Sequence, residues 1–126
     1  SDVQVRRMAV YSLSELEDPA SIGVLEKAAQ DSDQGLRKAA IHALADMEDP
    51  RAAAALIRAL EDSDPAIRKY AAYGLGELNS TPAIITGLRR ALGDSSAEVR
   101  RAVIHTLAEL EDYASADALI DALKDE

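Results

Sequence analysis

The stretch Leu36–Pro50, "LRKAAIHALADMEDP", occurs four times in this chain with variations. Residues 5–19 read "VRRMAVYSLSELEDP", residues 67–82 read "IRKYAAYGLGELNSTP" and residues 99–112 read "VRRAVIHTLAELED". Aligning them divides the chain into units 1–31, 32–62, 63–94 and 95–125, of 31, 31, 32 and 31 residues, the extra one falling in Asn79–Thr81. A fixed period of this size predicts a stacked array, in which each unit buries its face only against its neighbours.

Within the phrase, Leu36, Ala40, Leu44 and Met47 are spaced 4, 4 and 3 apart, which places them on one stripe of an α-helix. The sets Val5, Ala9, Leu13, Leu16, then Ile67, Ala71, Leu75, Leu78, then Val99, Val103, Leu107, Leu110 repeat that stripe. A second, shorter helix is predicted after each, with Ala53, Leu56, Ile57 and Leu60 inward. Asp18-Pro19 and Asp49-Pro50 mark its start, because Asp accepts from free first-turn amides and Pro lacks only a donor not needed there. Asp64-Pro65 opens the first helix of the third unit in the same way. The expected fold class is all-α, with two helices per unit and no strand.

Composition agrees with this. At 126 residues the chain is one domain's worth of material. It is 48% hydrophobic without Phe or Trp, and its abundant Ala suits closely approaching helices. A net charge of −9 repels phosphate backbones and anionic membranes, so neither nucleic acid nor a membrane is expected as a partner. The absence of Cys removes disulfides, thiolate metal sites and cysteine nucleophiles. No apolar run approaches the roughly 20 residues needed to span a bilayer, and "SDVQVRRMAV" does not read as a signal peptide. A soluble chain is expected, the cytoplasm being the favoured compartment.

The pattern "VR--A---L--L-DP-A---L--AL-D" resembles the HEAT-like repeats of phycobilin lyases and of the deoxyhypusine hydroxylase family, over essentially the whole chain. The resemblance implies a right-handed α-solenoid of four two-helix repeats, with the "VR" helix lining the concave side. It also implies a test for iron. The hydroxylases hold two irons with His-Glu dipeptides directly after the repeat's Arg, and the matching positions here are Arg7-Met8, Lys38-Ala39, Lys69-Tyr70 and Arg101-Ala102. None carries the ligand pair.

Turning ~100° per residue from Leu36 puts the first-helix stripe near ~35° and leaves Lys38, His42 and Asp46 on the opposite side. The equivalent outward triplets are Arg7-Tyr11-Glu15, Lys69-Tyr73-Glu77 and Arg101-His105-Glu109. Stacked helices would then show a basic row, a ring-bearing row and an acidic row, with Tyr70 beside the rings. Of the four Tyr and two His, Tyr113 alone lies off this surface. The other helix's outer face, with Arg51, Arg58, Glu26, Asp117 and Asp121, carries no ring. Shared ancestry with a solvated face accounts for such rows, and so does binding. Two features point to binding: bases near helix N-termini and acids near C-termini oppose the macrodipole, and Tyr and Arg are typical interface anchors.

Arg6, Arg37, Arg68 and Arg100 recur without variation on the flank of this helix. They are expected to form a ladder between units onto loop carbonyls or onto Asp31, Asp62 and Asp94, a role that suits a planar five-donor fork.

Catalysis finds no constellation. His42 and His105, two units apart, should stand roughly 17–20 Å from each other and cannot share an ion. His42-Asp46 and His105-Glu109 are i,i+4 pairs lacking a third ligand. No Ser has a His and an acid in reach, and "YGLGEL" (73–78) lies mid-helix, where Gly76 reads as a close helix contact. No enzyme activity, metal or cofactor is expected.

The expected function is a non-enzymatic interaction scaffold gripping a protein or peptide on its concave face through Arg7, Tyr11, Lys38, His42, Asp46, Lys69, Tyr70, Tyr73, Glu77, Arg101, His105 and Glu109. Two alternatives stand beside it: a lyase-type or chaperone-like subunit handling a bilin, and a structural spacer within a longer repeat protein. Apolar residues at both ends (Val5, Val10, Leu13; Leu119, Leu123) predict part of a longer array or end-to-end self-association.

Overall fold

Short polar side chains decide where the helices begin. Asp33 accepts from the Leu36 amide at 2.8 Å, Asp64 from Ala66 at 2.9 Å, Thr81 from Ile84 at 3.3 Å and Ser96 from Val99 at 3.4 Å. Each satisfies a first-turn donor that has no partner within its helix. In the computed structural model these starts open α3 (Gln34–Asp46), α5 (Pro65–Gly76), α6 (Pro82–Ala91) and α7 (Ala97–Glu109). The remaining helices are α1 (Val3–Leu16), α2 (Ile22–Ala28), α4 (Ala53–Ala59) and α8 (Tyr113–Lys124). The structure describes residues 2–16, 18–110 and 113–124, apart from the side chains of Ser14, Leu16, Pro19 and residues 113–118. The expectations for Leu16, Tyr113 and Asp117 therefore lie outside the described residues. Among the described residues there is no strand.

The Asp-Pro signals act one step earlier than expected. Asp18 and Asp49 accept from the Ala20 and Arg51 amides, both at 2.9 Å, and start the one-turn 3-10 helices Pro19–Ser21 and Pro50–Ala52. α2 and α4 follow directly from those turns.

The fold is an α-solenoid. Two layers run along it: α1, α3, α5 and α7 stand side by side, while each of α3, α5 and α7 also rests on the second helix of the preceding pair. The second-layer helices touch one another sparingly. Small residues permit the close first layer. A Cβ added to Gly74 would lie 2.7 Å from the Ala45 Cβ of α3, and one on Gly76 would lie 3.0 Å from the Thr106 Cγ2 of α7. The close contact expected at Gly76 is present, and Gly74 makes a tighter one.

The first-helix stripe is buried as expected in α3, α5 and α7, including Leu36, Ala40, Leu44, Ile67, Ala71, Leu75, Val99, Val103 and Leu107. In α1 it is not. Val5 is 61% exposed, Ala9 is exposed, and Val10 is the buried residue. The reason is geometric: α2, α4 and α6 cover this stripe on α3, α5 and α7, and no described helix covers it on α1. The second-helix stripe is rotated too. Ala52, Ala55, Leu56, Ala59 and Leu60 are buried, while Ala53 and Ile57 are half-buried.

Among the described residues, one backbone position is strained. Glu48, just past the Met47 cap of α3, has φ 51°. A residue with a Cβ is disfavoured in that left-handed region by about 1 kcal/mol. Glu48→Gly should raise stability by about that amount in a urea melt; an unchanged or lower midpoint would contradict the assignment.

Candidate functional site

The invariant arginines form the expected ladder. Arg68 donates through Nη1 to the Asp62 carbonyl oxygen at 2.8 Å, and through Nε and Nη2 to the two oxygens of Asp94 at 2.8 and 3.0 Å. Arg37 repeats this onto the Asp31 carbonyl and the Asp62 carboxylate, each at 3.0 Å. Arg6 pairs with Asp31 at 3.2 Å, and Arg100 donates to the Asp94 carbonyl at 2.7 Å. Each acid also accepts from the amide two residues on, in Asp33, Asp64 and Ser96. Every rung therefore holds the close of one repeat to the opening of the next.

The outward rows flank this ladder, and they are not equivalent. The basic row is largely engaged from within. Arg7 holds Asp33 in a two-pronged contact with a shortest distance of 3.0 Å, and Lys69 stands 3.9 Å from Glu98. Lys38 lies near enough to Asp64 to help lower its pKa. The acids Asp33, Asp64 and Glu98 all belong to the opening turn of the next first-layer helix. The packing also shows why Arg suits the first of these positions. The Arg7 guanidinium occupies the space a Cβ on Gly35 would fill, 2.7 Å from Nη2. Residues read as outward binders are thus also struts between repeats, because the side chain of one helix reaches sideways across the narrow first-layer gap.

The ring row breaks into pairs. His42 of α3 and Tyr70 of α5 have ring centroids 3.7 Å apart at 47°. Tyr73 of α5 and His105 of α7 meet edge-on at 6.4 Å. Tyr11, Tyr70 and Tyr73 are 58%, 37% and 42% exposed. His105 is exposed, and its Nε2 stands 2.8 Å from a Glu109 carboxylate oxygen. His42, expected on the outward side, is half-buried, with Nε2 shielded from solvent. That burial, helped by Lys38 and opposed by Asp46, pushes its pKa down. Between α1 and α3 a groove of about 490 Å³ is lined by Arg7, Tyr11, Lys38, His42 and Asp46. The acids Glu15, Asp46, Glu77 and Glu109 are all exposed.

Four ladder and cap acids titrate below the ordinary value of 3.8, Asp49 among them through its bonds from the Arg51 side chain and amide. The Leu36 amide and then Arg7 stabilise the Asp33 carboxylate, and the Gln34 amide holds Asp64. Burial pushes Asp94 the other way, but the Arg68 bonds and the Ser96 amide outweigh it. A carboxylate depressed in the folded state stabilises the fold above its unfolded pKa, and this is lost as pH falls through the folded value. The melting temperature should therefore drop below about pH 4, and a midpoint constant from about pH 6 to about pH 2 would contradict it.

No group of three or more His, Asp or Glu side chains among the described residues could hold a metal ion, and no helix there is long and apolar enough to cross a membrane. The sequence model for HEAT repeats matches residues 1–63 and 55–126. The chain belongs to the HEAT repeat family. No curated protein matches it. Among solved structures, two engineered proteins from the Northeast Structural Genomics Consortium are similar to this HEAT repeat chain. The first shares 24% identity at a TM-score of 0.67, covering 97% of this chain and 63% of the other. The second shares 23% at 0.69, covering 97% and 38%. The chain thus spans less than two thirds of either, and the likeness concerns the fold alone.

Proposed function

We propose that this HEAT repeat chain is a non-catalytic scaffold that holds a protein or peptide partner along the outward face of its first-layer helices. The observation that carries the reading is the exposure of Tyr11, Tyr70 and Tyr73 on one face, beside a groove already formed between α1 and α3. A half-exposed Tyr gains more from a partner than from water, and rigid rings bind at low entropic cost. The close spacing of the first layer against the sparing contacts of the second supports reading this face as the inner side of the curve. The side chains of His42, Asp46, Glu77, His105 and Glu109 complete the contact surface, with Arg7, Lys38, Lys69 and Arg101 at its edge.

The test compares proteins retained by the wild type, by Tyr70→Ala/Tyr73→Ala and by Arg51→Ala, whose change lies on the other layer. The ring variant should lose the captured partners, with affinity for a purified one falling roughly tenfold or more, while Arg51→Ala keeps them. Retention of every partner by the folded ring variant would sink the proposal. Stacking of copies end to end is a lesser proposal, supported by the exposed Val5, Met8, Ile120 and Leu123. A monomer by light scattering at high concentration would remove it.

A further inference from the structure

The two helix layers treat their C-terminal ends in opposite ways. Lys27 of α2, Arg58 of α4, Arg89 and Arg90 of α6, and Lys124 of α8 place a base in the last turn. There a cation compensates the partial negative charge of free carbonyls. The last turns of α1, α3, α5 and α7 hold no base. An exposed acid stands instead at the end of α3 (Asp46) and α7 (Glu109), one residue before the end of α1 (Glu15) and just past the end of α5 (Glu77). Carboxylate and helix end add there along the edge next to the rings, at Glu15, Asp46 and Glu77, while Glu109 has His105 Nε2 2.8 Å away. The basic row offers little relief, because Arg7 and Lys69 already face Asp33 and Glu98.

We infer that this edge and the tyrosines beside it receive a basic, proline-rich segment in the polyproline II conformation, with a Lys or Arg at every third position. This rests on the scaffold reading above and specifies its ligand. The spacing argument is direct. Packed helices stand about 8–10 Å apart, so carboxylates at equivalent positions should recur at about that interval across the first layer. A polyproline II chain advances about 9 Å per three-residue turn and presents every third side chain to the same side. A β-strand, with its two-residue alternation, falls out of step by the second repeat. The intervening prolines would lie against Tyr11, Tyr70 and Tyr73, since aromatic-lined grooves favour this preformed helix. Charge supplies the sign: a chain of net charge −9 attracts a cationic segment and repels an acidic one.

The test measures fluorescence anisotropy at low salt with three synthetic peptides. One has lysine at every third position with prolines between. A second has the same residues with the lysines gathered at one end, and a third has glutamate for lysine. The spaced peptide should bind about tenfold tighter than the gathered one, weaken as salt is raised, and outcompete the glutamate peptide entirely. Glu15→Gln/Asp46→Asn/Glu77→Gln should bind it about tenfold more weakly while melting no lower than the wild type, since it removes unfavourable end charges. Equal binding of spaced and gathered peptides overturns the inference, as do absence of binding and undiminished binding by the folded triple variant. If the triple variant keeps partners that the ring variant loses, the inference fails while the scaffold reading stands.

Discussion

Replacing Arg68 by alanine should destabilise the protein by about 3 kcal/mol. Both members of its pair are well shielded, with side-chain exposures of 12% for Arg68 and 9% for Asp94. Truncation strands the Asp62 carbonyl and removes both guanidinium bonds to Asp94, leaving that carboxylate with the Ser96 amide. The penalty comes from unpaired groups left behind more than from the pair's net worth. Arg68→Lys should recover only part, because an ammonium cannot reach a carbonyl and span a carboxylate together. Lys69→Ala, one residue away, should stay within about 0.5 kcal/mol, since its contact is long and exposed. Urea melts of the three variants decide this, and equal midpoints for Arg68→Ala and Lys69→Ala would refute the distinction between ladder and ridge.

Gly74→Ala should destabilise by about 2 kcal/mol, against the usual direction for a helix interior, where the change gains up to about 1 kcal/mol. The new methyl would lie 2.7 Å from the Ala45 Cβ and 3.2 Å from its Cα, and backbone cannot swing aside as a long side chain would. α3 and α5 would have to part, disturbing Leu56 as well, which lies 3.3 Å away. Gly23 in α2 is the control: nothing lies within 4 Å of its added Cβ, so Gly23→Ala should stabilise by about 0.5–1 kcal/mol. Opposite signs in thermal melts are the expected result. Two stabilising substitutions would mean that the first layer is looser than described.

What was readable in the sequence was what repeats. The stripe of Leu36, Ala40 and Leu44 declares itself by period, and the unvarying arginines stand out because their neighbours alternate between Arg and Lys. Both readings match the structure, since a ladder between identical neighbours must use the same residue each time. Where the sequence lost resolution, the local signal was flat. Residues 52–55 are four consecutive alanines, which give no period to choose one face over another: Leu56 and Leu60 are buried as expected, while Ala52 and Ala55 are buried in place of Ala53 and Ile57. The exposure of Val5 follows from what packs next to α1, not from anything within the phrase. Likewise, the engagement of Arg7 with Asp33 spans 26 positions and depends on Gly35 leaving room for a guanidinium. A helical wheel describes one helix and cannot see such a crossing contact. Of the site, then, the wheel located the ring and acid rows, while the division of the rings into His42/Tyr70 and Tyr73/His105 needed the three-dimensional packing.

The unequal layers also govern how the molecule deforms. α1, α3, α5 and α7 are packed shoulder to shoulder and cross-linked by the arginine rungs, whereas the second-layer helices meet one another sparingly. The first layer is thus built as a spine of nearly fixed length, with α2, α4, α6 and α8 attached to it as ribs. Bending of this kind should leave the rungs intact and disturb few contacts between ribs, so it should cost less than stretching. A change of curvature in this solenoid would therefore be taken up by the spacing of its ribs and not by the length of its spine.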